Sequence, residues 1–180
     1  TEQNERLSKL VRTLLDMSEL QTVARNDRIE LHSLIEEVLT DLEPLAQEKK
    51  VELIQRSQGA GAKADEELFL TGSDILIYRL VYNLVENAIK YNHLGGQVTV
   101  TVCRKEKQVS LSVEDTGSGI PEELKERVFE PFFRVDKSRS RELGGVGLGL
   151  ALVREIVRVH DGRIAIKSKP AGGTIFEVIL

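Results

Sequence analysis

Residues 73–91 of the chain read SDILIYRLVYNLVENAIKY. Apolar side chains recur there at steps of three and four residues, which predicts an amphipathic helix with one buried face. These side chains are Ile77, Leu80, Val81, Leu84, Val85 and Ala88. Two glycines follow at 95 and 96, and glycine is common just beyond the end of a helix. We therefore expect a helix from about Ser73 to Tyr91 that packs on a core.

Helical and strand patterns extend on both sides of this stretch. Upstream, a narrow apolar seam predicts a helix from the start of the chain to about residue 25, and a second helix follows over 31–48, where Pro44 allows a kink or an early end. Pro121 is expected to open a short helix, and a longer one covers 147–160. Alternating residues predict strands over 51–56, 67–71, 97–104, 108–115, 163–169 and 174–180. The whole pattern indicates an α/β layer structure behind an N-terminal helix.

Composition excludes several classes of protein. The 180 residues are 41% hydrophobic and 30% charged, which fits a folded domain and not a disordered chain. No apolar run approaches the roughly 18 residues of a membrane-spanning helix, and the charged opening TEQNER is unlike a signal peptide. Cys103 is the single cysteine, which excludes internal disulfides and cysteine-based zinc sites and favours a reducing compartment. The net charge of −4 argues against a nucleic-acid binder.

The helix predicted over 73–91 also carries a polar stripe at three- and four-residue steps. Its members are Arg79, Asn83, Glu86, Asn87 and Lys90. A solvated helix face would explain the charges, but asparagine is a mediocre helix former. An amide oxygen is a suitable ligand for Mg²⁺ that phosphates already neutralise, and Lys90 could meet a phosphate one turn further on.

A short loop at 114–121 reads EDTGSGIP and joins a predicted strand to the short helix. Asp, Gly and Ser are turn residues, so a simple turn is one interpretation. The alternative is purine recognition, because the carboxylate of Asp115 could accept a hydrogen bond from an exocyclic amine and would repel a carbonyl.

A second glycine-rich segment, GGVGLGL at 144–150, directly precedes a predicted helix. Glycines allow backbone N–H groups to approach an anion closely, and the start of a helix favours negative charge. The segment matches neither the dinucleotide-binding fingerprint nor a Walker A loop, since the chain has no Gly-Lys pair.

The segment 129–141 reads FEPFFRVDKSRSR and has no clear period. It holds three of the five phenylalanines, and four cations against one acid lie between Arg134 and Arg141. A solvated charged loop is one interpretation, but a long irregular segment in a small domain is often a lid. Its cations could close over a polyphosphate.

Together, in this order, these segments resemble the ATP-binding catalytic domain of bacterial sensor histidine kinases. Residues 80–91 look like the asparagine box of that family and 115–119 like its first glycine box. The phenylalanine box corresponds to 129–134, the second glycine box to 145–150, and a small third one to 172–174. The family belongs to a superfamily that includes mismatch-repair and topoisomerase ATPases.

The resemblance implies a fold and a domain division. The fold would be a two-layer α/β sandwich, the Bergerat ATP-binding fold. In it, about three helices cover one face of a mixed, mostly antiparallel sheet of about five strands, behind an N-terminal helix. Residues 1–25 would be the end of the second helix of the dimerisation and phosphoacceptor domain, and residues 26–180 the catalytic domain.

The resemblance also implies roles for individual residues. Asn87 would hold Mg²⁺ with the support of Asn83, and Arg134 and Arg139 would reach the terminal phosphate or the transfer site. Asp115 would accept the adenine amine, Lys90 would contact a phosphate, and Tyr91 would line the adenine pocket. The remaining nucleotide-binding positions are Gly117, Gly119, Ile120, Gly145, Val146, Gly147, Leu148, Gly149 and Thr174.

The function implied is transfer of the ATP γ-phosphate to a histidine of the adjoining domain and onward to a response-regulator aspartate. None of His32, His93 and His160 has the sequence context of the family's acceptor, so we expect that histidine upstream of Thr1. His160 is expected to favour the dipole at a helix C-terminus. The resemblance further implies a cytoplasmic location, with a parent protein anchored in the bacterial plasma membrane and dimeric.

Two alternatives stay open at this point. One is an anti-sigma-type serine/threonine kinase with the same ATP pocket, although the apolar seam of the first helix suggests a helical bundle. The other is a nucleotide-sensing or dimerising module without catalysis.

Overall fold

The computed structural model describes residues 2–57, 68–136 and 147–180. Within these ranges the chain forms four α-helices and seven strands. The helices are α1 (Glu2–Glu19), α2 (Leu31–Lys49), α3 (Asp74–Lys90) and α4 (Gly149–Val159). The strands are β1 (Asp27–Glu30), β2 (Glu52–Ser57), β3 (Phe69–Gly72), β4 (Gln97–Lys105), β5 (Gln108–Asp115), β6 (Arg163–Ser168) and β7 (Thr174–Ile179).

The main sheet has five strands in the order β2-β4-β5-β7-β6. Only the β2–β4 pair is parallel, and the other three pairs are antiparallel. Helices α2, α3 and α4 contact this sheet, and their apolar faces form one core with it. Val100 and Val113, paired across β4 and β5, are almost fully buried under α3. This is the two-layer sandwich with a mixed, mostly antiparallel sheet that the sequence predicts.

The helix α3 forms because its sequence satisfies both its start and its buried face. Ser73 caps the first turn by accepting a hydrogen bond from the Leu76 N–H at 3.4 Å. The apolar residues that the period selects, including Leu80 and Leu84, are fully buried. The polar stripe on the opposite side therefore faces away from the core, with the first residue of α4 next to it.

Three element boundaries differ from the sequence prediction. Helix α1 ends at Glu19 and not near residue 25, because the chain turns there, with Thr22 donating from its backbone and hydroxyl to the Glu19 carbonyl. Residues 27–30, between the first two predicted helices, form the unpredicted strand β1, which pairs with β3 in a separate two-stranded sheet. Pro121 opens only a 3-10 turn, Glu122–Leu124. Strand β1 has four residues and one buried side chain, Ile29, so it leaves no alternation to detect.

Helix α1 joins the body of the domain through its last turns. Leu20, just beyond the helix, is buried, and Asp16 pairs with Arg79 of α3 at 2.6 Å. The earlier turns leave an apolar seam exposed, formed by Leu7, Val11, Leu14 and Leu15. None of the described helices is both long and apolar enough to cross a membrane.

His160 connects the ends of α3 and α4 and does not act as a cation at a helix terminus. Its Nδ1 lies 2.8 Å from the Ile156 carbonyl, and its Nε2 accepts the Ser73 N–H at 3.0 Å. A carbonyl can only accept, so Nδ1 carries the proton and the ring is neutral. Burial lowers the pKa of His160, and nearby Arg25 lowers it further. His160 does lie at the helix C-terminus, as expected, and its neutral ring meets the helix dipole through the Nδ1–H bond to the Ile156 carbonyl.

We expect this neutral histidine to make the domain less stable in mild acid. Because the folded-state pKa of His160 lies below about 6.5, the unfolded chain binds the proton more readily. The contribution of neutral His160 to the free energy of unfolding is complete above about pH 6.5. It is lost as the pH falls from there through the folded-state pKa. In His160→Gln, stability at pH 7.5 should fall by about 1–3 kcal/mol and its pH dependence between 5 and 7 should flatten. Denaturant unfolding at several pH values measures both.

Exposed His93 provides the control for that experiment, because His93→Gln removes an imidazole ring without touching the α3–α4 contact. This variant should match the unaltered chain in stability at pH 7.5 and should still lose stability in mild acid, because His160 is intact. A pH dependence in His160→Gln as steep as that of the unaltered chain would contradict the assignment.

Candidate functional site

The polar stripe of α3 supplies the first part of the candidate site. The amide nitrogen of Asn83 donates to the Arg79 carbonyl at 2.7 Å, which fixes the orientation of that side chain. Asn87, half-buried one turn later, makes no side-chain hydrogen bond with any described residue. Its amide is thus available to a ligand. Lys90 pairs with Glu86 at 2.8 Å, so a phosphate would have to compete with that carboxylate.

Asp115 ends β5 and points its carboxylate into the domain. Its Oδ1 accepts the Gly117 N–H at 2.8 Å and the Thr174 N–H at 3.3 Å. No described residue donates a hydrogen bond to Oδ2, which leaves one charged acceptor for a ligand. Burial raises the pKa of Asp115, while the two N–H groups and the charge of Lys169 oppose that rise. The carboxylate of Asp115 is thus held in place, and its negative charge is only partly compensated.

The loop after Asp115 lies directly against the end of α3. Gly117 approaches the Tyr91 carbonyl so closely that a Cβ at this position would collide with it. Only glycine allows this contact between two backbones. Tyr91 itself is 42% exposed, and Ile120 packs partly against the core. The loop that follows Asp115 therefore lies next to the end of α3 that carries the polar stripe.

The start of α4 closes another side of the site. Gly149, the first residue of α4, lies so near Asn83 that an added Cβ would be 2.9 Å from its Oδ1. The Gly147 carbonyl accepts the Phe132 N–H at 2.7 Å, which ties the glycine segment to the phenylalanine segment. Leu148 between them is buried. Arg139, Gly145 and Val146 lie outside the described residues.

The phenylalanine segment packs only in part. Phe129 is buried, with its ring edge-on to Phe176 at 6.4 Å, and Phe133 lies under the guanidinium of Arg127 at 4.4 Å. Phe132 remains 55% exposed. Arg134 follows at a half-buried position. Two of the three aromatic rings thus anchor the segment that leads to Arg134.

Two residues contact the site residues without having been singled out from the sequence as binding groups. Glu86 restrains Lys90, and its i,i+4 spacing could have predicted the ion pair. Lys169, before the β6–β7 turn, donates to the Asp115 carbonyl at 3.4 Å and pairs with Glu114. Nothing in the local sequence connects positions 54 residues apart, so this contact could not be predicted.

The residues present fit a Mg²⁺ ion that arrives with phosphates better than a resident metal. No cluster of three or more His, Cys, Asp or Glu side chains that could hold a metal occurs in the described parts of the chain. The α3 stripe offers the uncommitted amide of Asn87, and a neutral oxygen is suited to a cation whose other ligands are phosphate oxygens and water.

Comparison with known proteins identifies the family to which the chain belongs. Residues 72–180 match the family model of histidine kinase-, DNA gyrase B- and HSP90-like ATPases. The adaptive-response sensory kinase SasA of Crocosphaera subtropica is 37% identical over 97% of this chain and 44% of its own length. The catalytic domain of histidine kinase ThkA matches with a TM-score of 0.75 and 28% identity, over 87% of this chain and 95% of that one.

A second structure of ThkA, in complex with the response regulator protein TrrA, also has a TM-score of 0.75, with 26% identity over 98% of this chain and 48% of that one. The chain thus spans less than half the length of the curated relatives it matches. It belongs to the family of histidine kinase-, DNA gyrase B- and HSP90-like ATPases, as an ATP-binding catalytic domain of the sensor histidine kinase type.

Proposed function

We propose that this domain binds ATP with Mg²⁺ and transfers the γ-phosphate to a histidine on an adjoining dimerisation domain. The observation that carries the proposal is the carboxylate of Asp115, whose Oδ1 is held by two backbone N–H groups while Oδ2 is left for a ligand. An exocyclic amine of adenine would satisfy Oδ2. Asn87 and the start of α4 would then face the phosphates.

The other predicted residues complete this proposal. Asn87, supported by Asn83, would hold Mg²⁺, which when bound offsets the charge of the phosphates. Lys90 would exchange Glu86 for a phosphate oxygen, and Tyr91 would cover the base. Gly119, Ile120, Leu148 and Thr174 would line the pocket, with Gly147 and Gly149 donating backbone N–H groups. Arg134, with Arg139, would reach the terminal phosphate.

Catalysis by this domain would consist of positioning and charge compensation. In the transfer, a ring nitrogen of the acceptor histidine forms a bond to the γ-phosphorus, and the bond to the β–γ bridging oxygen breaks as ADP leaves. The imidazole gives up its ring proton to solvent. The site residues would hold the γ-phosphate in line with the acceptor and stabilise the negative charge on its oxygens.

The exposed seam of α1 supports the proposed domain division. Leu7, Val11, Leu14 and Leu15 lie at three- and four-residue steps and are about half exposed. A second helix would cover such a seam in a bundle. We therefore assign residues 1–25 to the end of a dimerisation helix and 26–180 to the catalytic domain, in a parent kinase that dimerises. The response-regulator partner and the cytoplasmic location of this domain, in a parent anchored to the membrane, belong to the same proposal.

The alternatives are less well supported. The relatives are named sensor kinases, which does not favour an anti-sigma-type serine/threonine kinase. A module that only senses nucleotide is compatible with the pocket, but it leaves the seam of α1 without a role.

Incubation of the chain with γ-labelled ATP, Mg²⁺ and a separately supplied dimerisation domain tests the proposal. We expect label on a histidine, recognised by an acid-labile, base-stable bond. Label on a serine would support the anti-sigma alternative, and ATP binding without transfer to any acceptor would support the sensing module. Either result would contradict the proposed activity.

A further inference from the structure

The strand pair β4–β5 ends in an unusual rung at Gln97 and Thr116. The Thr116 N–H donates to the Gln97 carbonyl at 3.2 Å, as it would in a regular antiparallel ladder. The return bond is different, because the Gln97 N–H donates at 2.9 Å to the hydroxyl of Thr116 and not to its carbonyl. A side chain thus completes the ladder, and the main chain is free to leave the sheet right after Asp115.

Asn92, in the turn after α3, holds this rung from the other side. Its Oδ1 accepts the Thr116 hydroxyl at 3.1 Å and the His93 N–H at 3.0 Å. Its Nδ2 donates to the Gln97 carbonyl at 3.0 Å. The two side chains therefore use their donors and acceptors on each other and on the same backbone residue, which makes a cyclic network.

The backbone around this network is closely packed against it. A Cβ on Gly96 would collide with Asn92 Oδ1 and would lie 2.8 Å from the Thr116 hydroxyl. On the other side of Thr116, the loop at Gly117 lies against the Tyr91 carbonyl. The network and this backbone contact together fasten the loop to the end of α3.

We propose that Asn92 and Thr116 are positioning residues for base recognition. They lock the chain directly after Asp115, and Gln97 of β4 beside it, to the end of α3, so that Oδ2 of this carboxylate meets the base at a fixed distance from Asn87 and Lys90. The inference rests on the proposed binding of ATP by this site, and neither side chain needs to touch the nucleotide.

The hydroxyl of Thr116 is the atom to remove, because a matched pair of variants isolates it. Thr116→Val keeps the shape but leaves the Gln97 N–H without its acceptor and Asn92 Oδ1 without one donor. Thr116→Ser keeps the hydroxyl. We expect Thr116→Val to bind ATP about 10-fold more weakly by calorimetry, with Thr116→Ser within about twofold of the unaltered chain.

The preference for ATP over GTP distinguishes a loss of positioning from partial unfolding of the variant. We expect the preference for ATP over GTP to narrow in Thr116→Val, because a loosened Asp115 discriminates less between an amine and a carbonyl. An unfolded fraction would lower both affinities equally. In the nucleotide-free chain, exchange of the Gln97 and Gly117 amide protons should be faster in Thr116→Val and unchanged in Thr116→Ser.

Asn92→Ala should have the same effect, and the double variant should lose less than the sum of the two single losses, because both act through one network. Equal ATP affinity, selectivity and exchange rates in Thr116→Val and Thr116→Ser would overturn the assignment while leaving the proposed function intact. Absence of ATP binding by the unaltered chain would overturn both.

Discussion

Asp115→Asn is expected to weaken ATP binding by about 100-fold, or about 2.7 kcal/mol, with little effect on folding. The amide can still accept the Gly117 and Thr174 N–H groups through Oδ1, so the loop keeps its two anchors. An NH₂ group takes the place of Oδ2 and would face the amine of adenine. Two donors then oppose each other where a charged acceptor had been.

The same substitution should change base selectivity as well as affinity. An NH₂ group at the former Oδ2 can donate to the carbonyl of guanine, so the preference for ATP over GTP should narrow or reverse. Calorimetric titration with both nucleotides measures this directly.

Glu114→Gln is the matched control, because Glu114 is the adjacent carboxylate on β5 and pairs with Lys169 outside the core. Its ATP affinity should stay within about twofold of the unaltered chain, since this ion pair is partly exposed and the Asp115 carboxylate takes its hydrogen bonds from Gly117 and Thr174. If Asp115→Asn and Glu114→Gln bound ATP equally well, Asp115 would not be the base-recognising residue.

The fold was predictable because its large elements carry complete periodic patterns. Helix α3 and the strands β4 and β5 bury the apolar side chains that their periods select, from Leu80 to Val113. Strand β1 was not predictable in this way, although the equally short β3 was. Strand β1 buries only Ile29 and exists because β3 lies beside it.

The candidate site shows the same difference between features that depend on local sequence and features that depend on distant segments. Asn87 and Asp115 could be selected as candidates from local sequence, because each lies in a motif whose residues are close along the chain. Contacts between distant segments could not, such as Lys169 with Asp115 or Ser73 with His160. The neutral form of His160 could not be predicted for the same reason, since its ring accepts a hydrogen bond from a residue 87 positions away.

Asn87→Ala is expected to abolish the dependence of ATP affinity on Mg²⁺. Asn87 is the half-buried amide of the α3 stripe that no described residue engages, so its loss should leave the helix and the Lys90–Glu86 pair unchanged. In the unaltered chain, ATP should bind more tightly with Mg²⁺ than with a chelator. In Asn87→Ala the two affinities should be nearly equal, and phosphoryl transfer should fall by at least about 100-fold.

Asn26→Ala is the control, because Asn26 is an exposed asparagine in the segment between α1 and β1, away from the α3 stripe. It should keep both the Mg²⁺ dependence and the transfer rate. Asn87→Asp adds a discriminating case, since a carboxylate is a good Mg²⁺ ligand but repels phosphates. It should bind ATP more weakly than Asn87→Ala in chelator and recover part of the difference in excess Mg²⁺. An Asn87→Ala chain whose ATP affinity still rises with Mg²⁺ as in the unaltered chain would place the ion on other residues.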